Sequence, residues 1–536
     1  MKTTWFLRTL ALVSAVALSA CGGGGGGGGG GFFAPLTVAP TTPGATSVTL
    51  NGNVTYDSVP NATGGLNYAA TTPKPVRGAL VEVLDGSSTV IATTATDGNG
   101  AYTTSVPANT TVTVRVKAQL LQSGTGPSWD VSVRDNTQGE ALYSMQSSSF
   151  ATGGSTVTRD VHAPSGWTGT SYGSDRVAGP FAVLDTVYAT QAKVLSAAPT
   201  TVFPALRVYW SVNNLPATGN LTLGQIGTTF FTTSGTAGRS IYVLGKADVD
   251  TDEYDTSVVA HEWGHYYQSA FSRDDSPGGA HGVDELLDRR LAFSEGWGNA
   301  WSGIALGRSN YTDSVGASQA LGSNLNLAAG PSTNQGWYRE ASIHSILWNL
   351  NNQVGFKPIH DAMTGSFKTG VAVTSIHPFS VAFNAAAPSS ASALNALLVA
   401  QNIAVPNSPY ADNESNGGGF NTYTLPMYKV VNLGVGTSTC VTNQADPARD
   451  GNKLGSYAYL RFTAPTQRNY SITVTGGGAG TDPDFVVYQG RRAGQGLSTV
   501  AGSESGAATL SAGDAVLVVN DFNNTSTNTC FTVTIN

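Results

Sequence analysis

Cysteine is scarce here: three residues in 536, at Cys21, Cys440 and Cys530. A disulfide-dense scaffold is thereby excluded, and in an oxidising compartment Cys440 and Cys530 read as one disulfide. Charge is scarce as well. Asp, Glu, Lys and Arg make up 11% of the chain, and 27 basic against 34 acidic residues leave a formal charge of -7. No basic surface for nucleic acid is expected from such a balance. Beyond the first twenty residues no apolar run is long enough to span a bilayer. Gly, Ser, Thr, Ala and Asn dominate instead, as suits an exported protein, and the length is that of two to four domains.

Histidine and glutamate are also rare, 7 and 9 residues respectively, which gives weight to one stretch where they meet. Val258 to Tyr267 contains His261-Glu262-Trp263-Gly264-His265, an H-E-x-x-H that chance would produce in on the order of one such chain in a thousand. On a helix His261 and His265 project from one face, one turn apart, and can share a metal ion. Glu262 stands beside them as a proton acceptor. A Zn²⁺ ion in such a site lowers the pKa of its water from 15.7 to about 7, which is the chemistry of peptide hydrolysis. Val259, Trp263, Tyr266 and Ala270 form the buried stripe of this helix, and Asp255 is its expected N-cap.

The N-terminus reads as an export signal: Lys2 and Arg8, the apolar run Leu10 to Leu18, then Leu18-Ser19-Ala20-Cys21. The last four resemble the lipobox of bacterial lipoproteins, which implies cleavage after residue 20, lipidation of Cys21 and residence in the bacterial cell envelope, on the outer membrane or cell surface. Gly22 to Gly31 make a flexible tether, within a linker expected to span 21–47.

A first folded unit is expected over 48–164. Ala79 to Leu84 and Thr111 to Lys117 alternate with period two, with Asp85-Gly86 and Asp97-Gly98-Asn99-Gly100 as turns, an all-β pattern. Gly52 to Tyr56, Pro75 to Ala79, Thr96 to Tyr102 and Val106 to Ala108 resemble the carboxypeptidase regulatory-like, transthyretin-like domain, which implies a non-catalytic β-sandwich. The next unit, 165–426, opens with helical periodicity in Leu184, Val187, Tyr188, Val194 and Leu195, with Pro180 in the first turn. Strands are expected at Leu206 to Trp210 and at Ile241 to Leu244, the latter an edge strand suited to pairing with an extended substrate.

A zinc site needs a third protein ligand. Thirty residues beyond His265 stands Phe293-Ser294-Glu295-Gly296-Trp297-Gly298-Asn299-Ala300-Trp301, where a carboxylate lies among aromatic residues. Together with His261, Glu262 and His265 it resembles the gluzincins, the thermolysin-like metallopeptidases. That resemblance implies a zincin-like α+β domain in which His261, His265 and Glu295 hold Zn²⁺, with Glu262 polarising water. It also implies a residue four beyond the third ligand that orients a histidine. Here that residue is Asn299, an amide where the family has a carboxylate. Tyr338 and His344, on a helix with Ile343, Ile346, Leu347 and Leu350 in the core, are the candidate oxyanion donors, in the role a Tyr and a His play in that family. His344 and Glu340 are also spaced to bond each other.

The segment from Arg273 to Arg290 reads as an insertion shaping the cleft. His281 within it rivals Glu295 as third ligand, and Asp284, Glu285 and Asp288 read as a solvated helix face paired with Arg289 and Arg290. No partner is evident for His162, His360 or His377. In the last unit, 427–536, Tyr457 to Phe462, Tyr470 to Val474, Phe485 to Tyr488, Val516 to Val519 and Phe531 to Ile535 are strands between Gly-rich turns. With Asp482-Pro483-Asp484-Phe485, a turn or calcium ligand pair, they resemble the pre-peptidase C-terminal domain, again a β-sandwich.

The expected protein is thus multidomain: a β-sandwich, a zinc-dependent metallopeptidase domain and a second β-sandwich, tethered to a membrane through Cys21 and acting on polypeptides. Two other classes fit the same residues. One is a catalytically inactive surface adhesin or glycan- or protein-binding lipoprotein; the other is a zinc hydrolase of a non-peptide bond.

Overall fold

The computed structural model describes residues 46–234 and 238–536, and every count and absence below is of these residues. The expected signal segment, Cys21 and the glycine run Gly22 to Gly31 lie outside them. No described helix is long and apolar enough to cross a membrane. The architecture is β-rich, with several sheets and a helical middle.

Alternation sets the faces of the N-terminal strands. Thr111–Gln122 buries Val112, Val114, Val116, Ala118 and Leu120, while Arg115 and Lys117 point the other way and both pair with Glu82 of Ala79–Asp85. These strands belong to a ten-stranded sheet. Its main path runs Phe230–Thr232, Ser240–Val243, Leu206–Trp210, Trp129–Asp135, Thr111–Gln122, Ala79–Asp85 and Val90–Ala95.

The order departs from the expected organisation in two ways. The boundary at 164/165 is no break, because Leu206–Trp210 runs parallel to Trp129–Asp135, with Leu206 beside Val131 and Val208 beside Val133. A parallel neighbour has to be reached by a crossover, and helix α1, Ala178–Ala197, lies between the two strands in sequence. Its Phe181, Leu184, Val187 and Val194 are buried in the same core as Val114 and Val131. The second departure concerns the edge. Ser240–Val243 is flanked on both sides, parallel to Leu206–Trp210 and antiparallel to Phe230–Thr232, so the sheet ends at Phe230–Thr232 instead.

After this sheet come α2 (Thr256–Phe271), α3 (Arg289–Leu306) and α4 (Glu340–Val354). Gly245–Lys246, Asp250–Thr251, Asn310–Val315 and Leu321–Asn326 form a separate four-stranded sheet beside them. Helix α3 is buried on nearly every side, from Arg289 to Ile304. Its aromatic residues pack against α2: Trp263 stacks on Trp301 with centroids 5.4 Å apart, and Trp297 Nε1 donates to the Gly264 carbonyl at 3.0 Å.

The C-terminal residues build a nine-stranded sheet with its own core, including Leu460, Phe462, Tyr470, Ile472, Phe485 and Leu517. Asp484 lies buried in the strand Pro483–Tyr488, not in a turn. This sheet clasps the start of α3. The Arg289 guanidinium lies 3.8 Å from the Tyr459 ring centroid, Arg290 lies 4.3 Å from that of Tyr457, and Asp288 accepts from the Tyr459 hydroxyl. Asp288, Arg289 and Arg290 are therefore buried, and the expected solvated helix face is absent there. Asp288 caps α3 by accepting from Arg290 N, while Asp284 and Glu285 pair with Arg339 and Lys453 before the helix begins.

Cys440 and Cys530 sit opposite each other on Thr437–Val441 and Thr529–Ile535 and are bonded, closing a loop over a sequence separation of 90. Replacing both with Ser should lower stability by up to about 4 to 5 kcal/mol on the chain-entropy scale. Calorimetry should place the loss in a transition of the C-terminal sheet, with metal content unchanged.

Candidate metal centre

The site exists because two helices approach closely at glycine. A Cβ on Gly264 would lie 3.2 Å from the Gly298 Cα, and one on Gly298 would lie 2.7 Å from Cε1 and Nε2 of His261. With both positions bare, α3 passes directly under the H-E-x-x-H turn. Glu295 of α3 then meets both histidines of α2. Its Oε2 lies 3.1 Å from His261 Nε2 and 3.4 Å from His265 Nε2, and the two Nε2 atoms are 3.1 Å apart.

Those distances fit a cation held by all three groups. A tetrahedral ion with bonds of about 2.0 to 2.1 Å sets its ligand atoms about 3.3 Å apart. The tautomer fits too: Asn299 Oδ1, 2.9 Å from His261 Nδ1, favours the proton there and leaves Nε2 a free lone pair. Two lone pairs and a carboxylate oxygen facing one another repel unless a proton or a metal ion lies between them. When protons rather than an ion fill that gap, burial works to raise the Glu295 carboxyl, but the charge of His265 and hydrogen bonds from His261, His265 and His281 outweigh it and hold Glu295 well below the usual carboxylate range.

Surrounding groups position this trio. Asn299 Nδ2 donates to Glu340 Oε1, so the amide in the family's carboxylate position is itself backed by a carboxylate. Glu340 is the residue of α4 that reaches the site, and it does not bond His344. His281 Nε2 lies 3.3 Å from Glu295 Oε2 and 3.9 Å from Glu340 Oε2, beside Glu295 and not in its place. Glu262 Oε2 accepts from Phe231 N at 2.8 Å, tying the carboxylate to the sheet edge. Burial raises this carboxyl above the usual range, with His261 and His265 pulling the other way. Asp255 stands at the start of α2 but does not cap it with its side chain, which accepts from Asn61 Nδ2 at 2.6 Å and from Ser314 N at 3.1 Å.

A cleft of about 1070 Å³ opens over these residues, lined also by Phe230, Phe231, His281 and Tyr311 and by much of the segment from Asp274 to Val283. Tyr338 and His344 do not reach it. The Tyr338 hydroxyl donates to the Gln335 carbonyl and to Asn416 Oδ1, and His344 is fully buried with Nε2 3.3 Å from the Ala329 carbonyl. Helix α4 turns its Ile343 and Leu347 face into the core, and His344 goes with that side. Two hydrogen-bond donors that do face the cleft are His281 and Tyr311, whose ring stands edge-on to His261 with centroids 5.9 Å apart. Tyr311 alternates with Thr312 on a short strand, a pattern that carries no catalytic signature. The remaining histidines have partners: His162 with Asp57, His360 with the Tyr267 hydroxyl and His377 with Glu414.

No protein-family model matches the sequence, and no curated protein does. Among solved structures, the pre-peptidase C-terminal domain of a Bacillus anthracis collagenase is 12% identical, covering 20% of this chain and 94% of that one, with a TM-score of 0.17. The Aeromonas hydrophila periplasmic lysozyme inhibitor PliG, acting on g-type lysozyme, is 16% identical over 20% of this chain and 96% of that one, with a TM-score of 0.14. Likenesses this slight assign no fold.

Two outcomes follow from this geometry. Gly298→Ala should push the His261 ring aside and weaken binding of an added divalent metal ion, read by metal titration, while circular dichroism stays that of the parent. Burial also holds the His344 imidazole neutral, its pKa lowered to about 4. Its contribution to stability is complete above the unfolded value near 6.5 and is lost as pH falls toward 4, at about 3 kcal/mol in all. The unfolding temperature of His344→Gln should therefore fall less than the parent's between pH 6.5 and 4.

Proposed function

We propose that this chain is a zinc-dependent metallopeptidase of the gluzincin kind, hydrolysing peptide bonds of extracellular or cell-surface proteins. The observation carrying that reading is the convergence of His261, His265 and Glu295 with Glu262 on the same turn at the floor of an open cleft. Zinc bound there supplies Lewis acidity that brings the pKa of water to near neutrality.

The chain's own residues supply the rest. Glu262, held by Phe231 N and raised in pKa, takes the proton from the attacking water and delivers it to the leaving amine. His281 and Tyr311 are the donors placed to receive the developing oxyanion, in the role first assigned to His344 and Tyr338. The strand Phe230–Thr232 ends its sheet at the cleft, so an extended polypeptide can add to its open side by main-chain pairing once Glu262 releases Phe231 N. On this reading a lipid at Cys21 holds the chain at the cell envelope.

Glu262→Gln should retain stoichiometric zinc and lose casein cleavage by about a hundredfold or more. Cleavage at the parent's rate by the zinc-loaded variant would overturn the mechanism. Tyr311→Phe should lower kcat with little change in KM, and Tyr338→Phe should leave both near the parent values.

A further inference from the structure

A second group of ligand-type side chains stands on another wall of the same cleft. Asp250, Asp252 and Asp313 bring one carboxylate oxygen each within 4.8 Å of one another. Asp250 and Asp313 lie on two antiparallel strands of the four-stranded sheet and Asp252 just after the first: Asp250 pairs with Val315, and continuing that register past Thr251 sets Asp252 opposite Asp313. Like charges directly opposed across a ladder are destabilising, more so when buried. No Lys, Arg or His among the described residues lies within ion-pair distance of any of the three.

The carboxylate oxygens themselves indicate what is missing. Asp252 is only 2% exposed; one of its oxygens accepts from the Thr229 hydroxyl, and the other, Oδ1, is buried without a hydrogen-bond partner. Asp250 Oδ1 is likewise buried and unpartnered. A buried, unsatisfied carboxylate oxygen facing two further carboxylates is an acceptor with nothing to accept from. We infer that Asp250, Asp252 and Asp313 form a second metal site, for a hard divalent cation of the calcium type, separate from the His261, His265 and Glu295 site. The donor set is all oxygen, with no nitrogen or sulfur to favour zinc. Its opening to the cleft leaves coordination positions for water, as calcium's six to eight ligands require.

The site would act on the helix that carries the histidines. Asp255 N donates to the Asp252 carbonyl at 3.0 Å, and the Asp255 carbonyl accepts from Val258 N and Val259 N at the start of α2. A cation on Asp252 therefore ties the Asp250–Thr251 and Asn310–Val315 strands to the turn that launches this helix. Without one, protons must answer the repulsion. Burial, and after it the charge of Asp313, raises Asp250 to about 7, and burial raises Asp313 to about 6.

The test titrates calcium chloride into the zinc-loaded full chain at pH 7.5 in calcium-free buffer, by calorimetry and by thermal unfolding. One saturable calcium site is expected, and its filling raises the unfolding temperature. Asp313→Asn should weaken the site at least about tenfold. Because it also removes a repulsion, its calcium-free form should unfold no lower than the parent's, which separates loss of the site from loss of the fold. Asp252→Asn should likewise abolish the calcium response while zinc stays at one per chain. No saturable binding up to about 10 mM calcium, or a calcium response in Asp313→Asn equal to the parent's, would overturn the inference.

Discussion

Everything at the candidate metal centre depends on how near α3 comes to α2. Glu295 and the two histidines meet within 3.1 to 3.4 Å only because Gly264 and Gly298 let the backbones approach: a Cβ on Gly298 would strike the His261 ring, and one on Gly264 would crowd the Gly298 backbone. The aromatic stack of Trp263, Trp297, Trp301 and Tyr267 fixes the crossing from the other side. A polar centre is thus held by an apolar vice. The burial that makes the vice rigid leaves Glu295 and the histidines few partners beyond one another, Asn299 and His281 among them.

Much of this was legible in the sequence, for identifiable reasons. H-E-x-x-H states its own geometry, since residues four apart on a helix face the same way, and Glu295 stood out as a carboxylate among aromatic residues. Asn299 took the expected position against His261, and the alternating strands were recoverable from period two alone. What failed were inferences about partners remote in sequence. Tyr338 and His344 fit the family's roles by type and order, yet helix rotation sends them into the core, while Tyr311 and His281 arrive on a strand and a loop that carry no periodic signal. Asp255 looked like a cap because helix starts favour Asp, but its carboxylate serves Asn61, 194 residues away.

The cleft gathers its groups from unusually dispersed sources. Its edge strand belongs to the ten-stranded sheet, its histidines to α2, its third ligand to α3, and its acidic wall to the four-stranded sheet. The C-terminal sheet contributes indirectly, through Tyr457 and Tyr459 gripping Arg289 and Arg290 at the head of α3. Anchoring the start of that helix limits its sliding along α2, and a slide of one residue would swing Glu295 by about 100° away from the histidines.

The sheet that crosses residue 164 makes the N-terminal segment something other than a detachable module. Trp129–Asp135 is the hydrogen-bonding neighbour of Leu206–Trp210, and Val114, Val131 and Val133 fill the same core as α1. A chain severed after the first 164 residues would begin with an α1 stripped of its floor and a bare parallel strand two positions from the cleft. Such a fragment invites aggregation along that strand, and the shortest self-sufficient unit around the cleft extends back to the β-strands near residue 47.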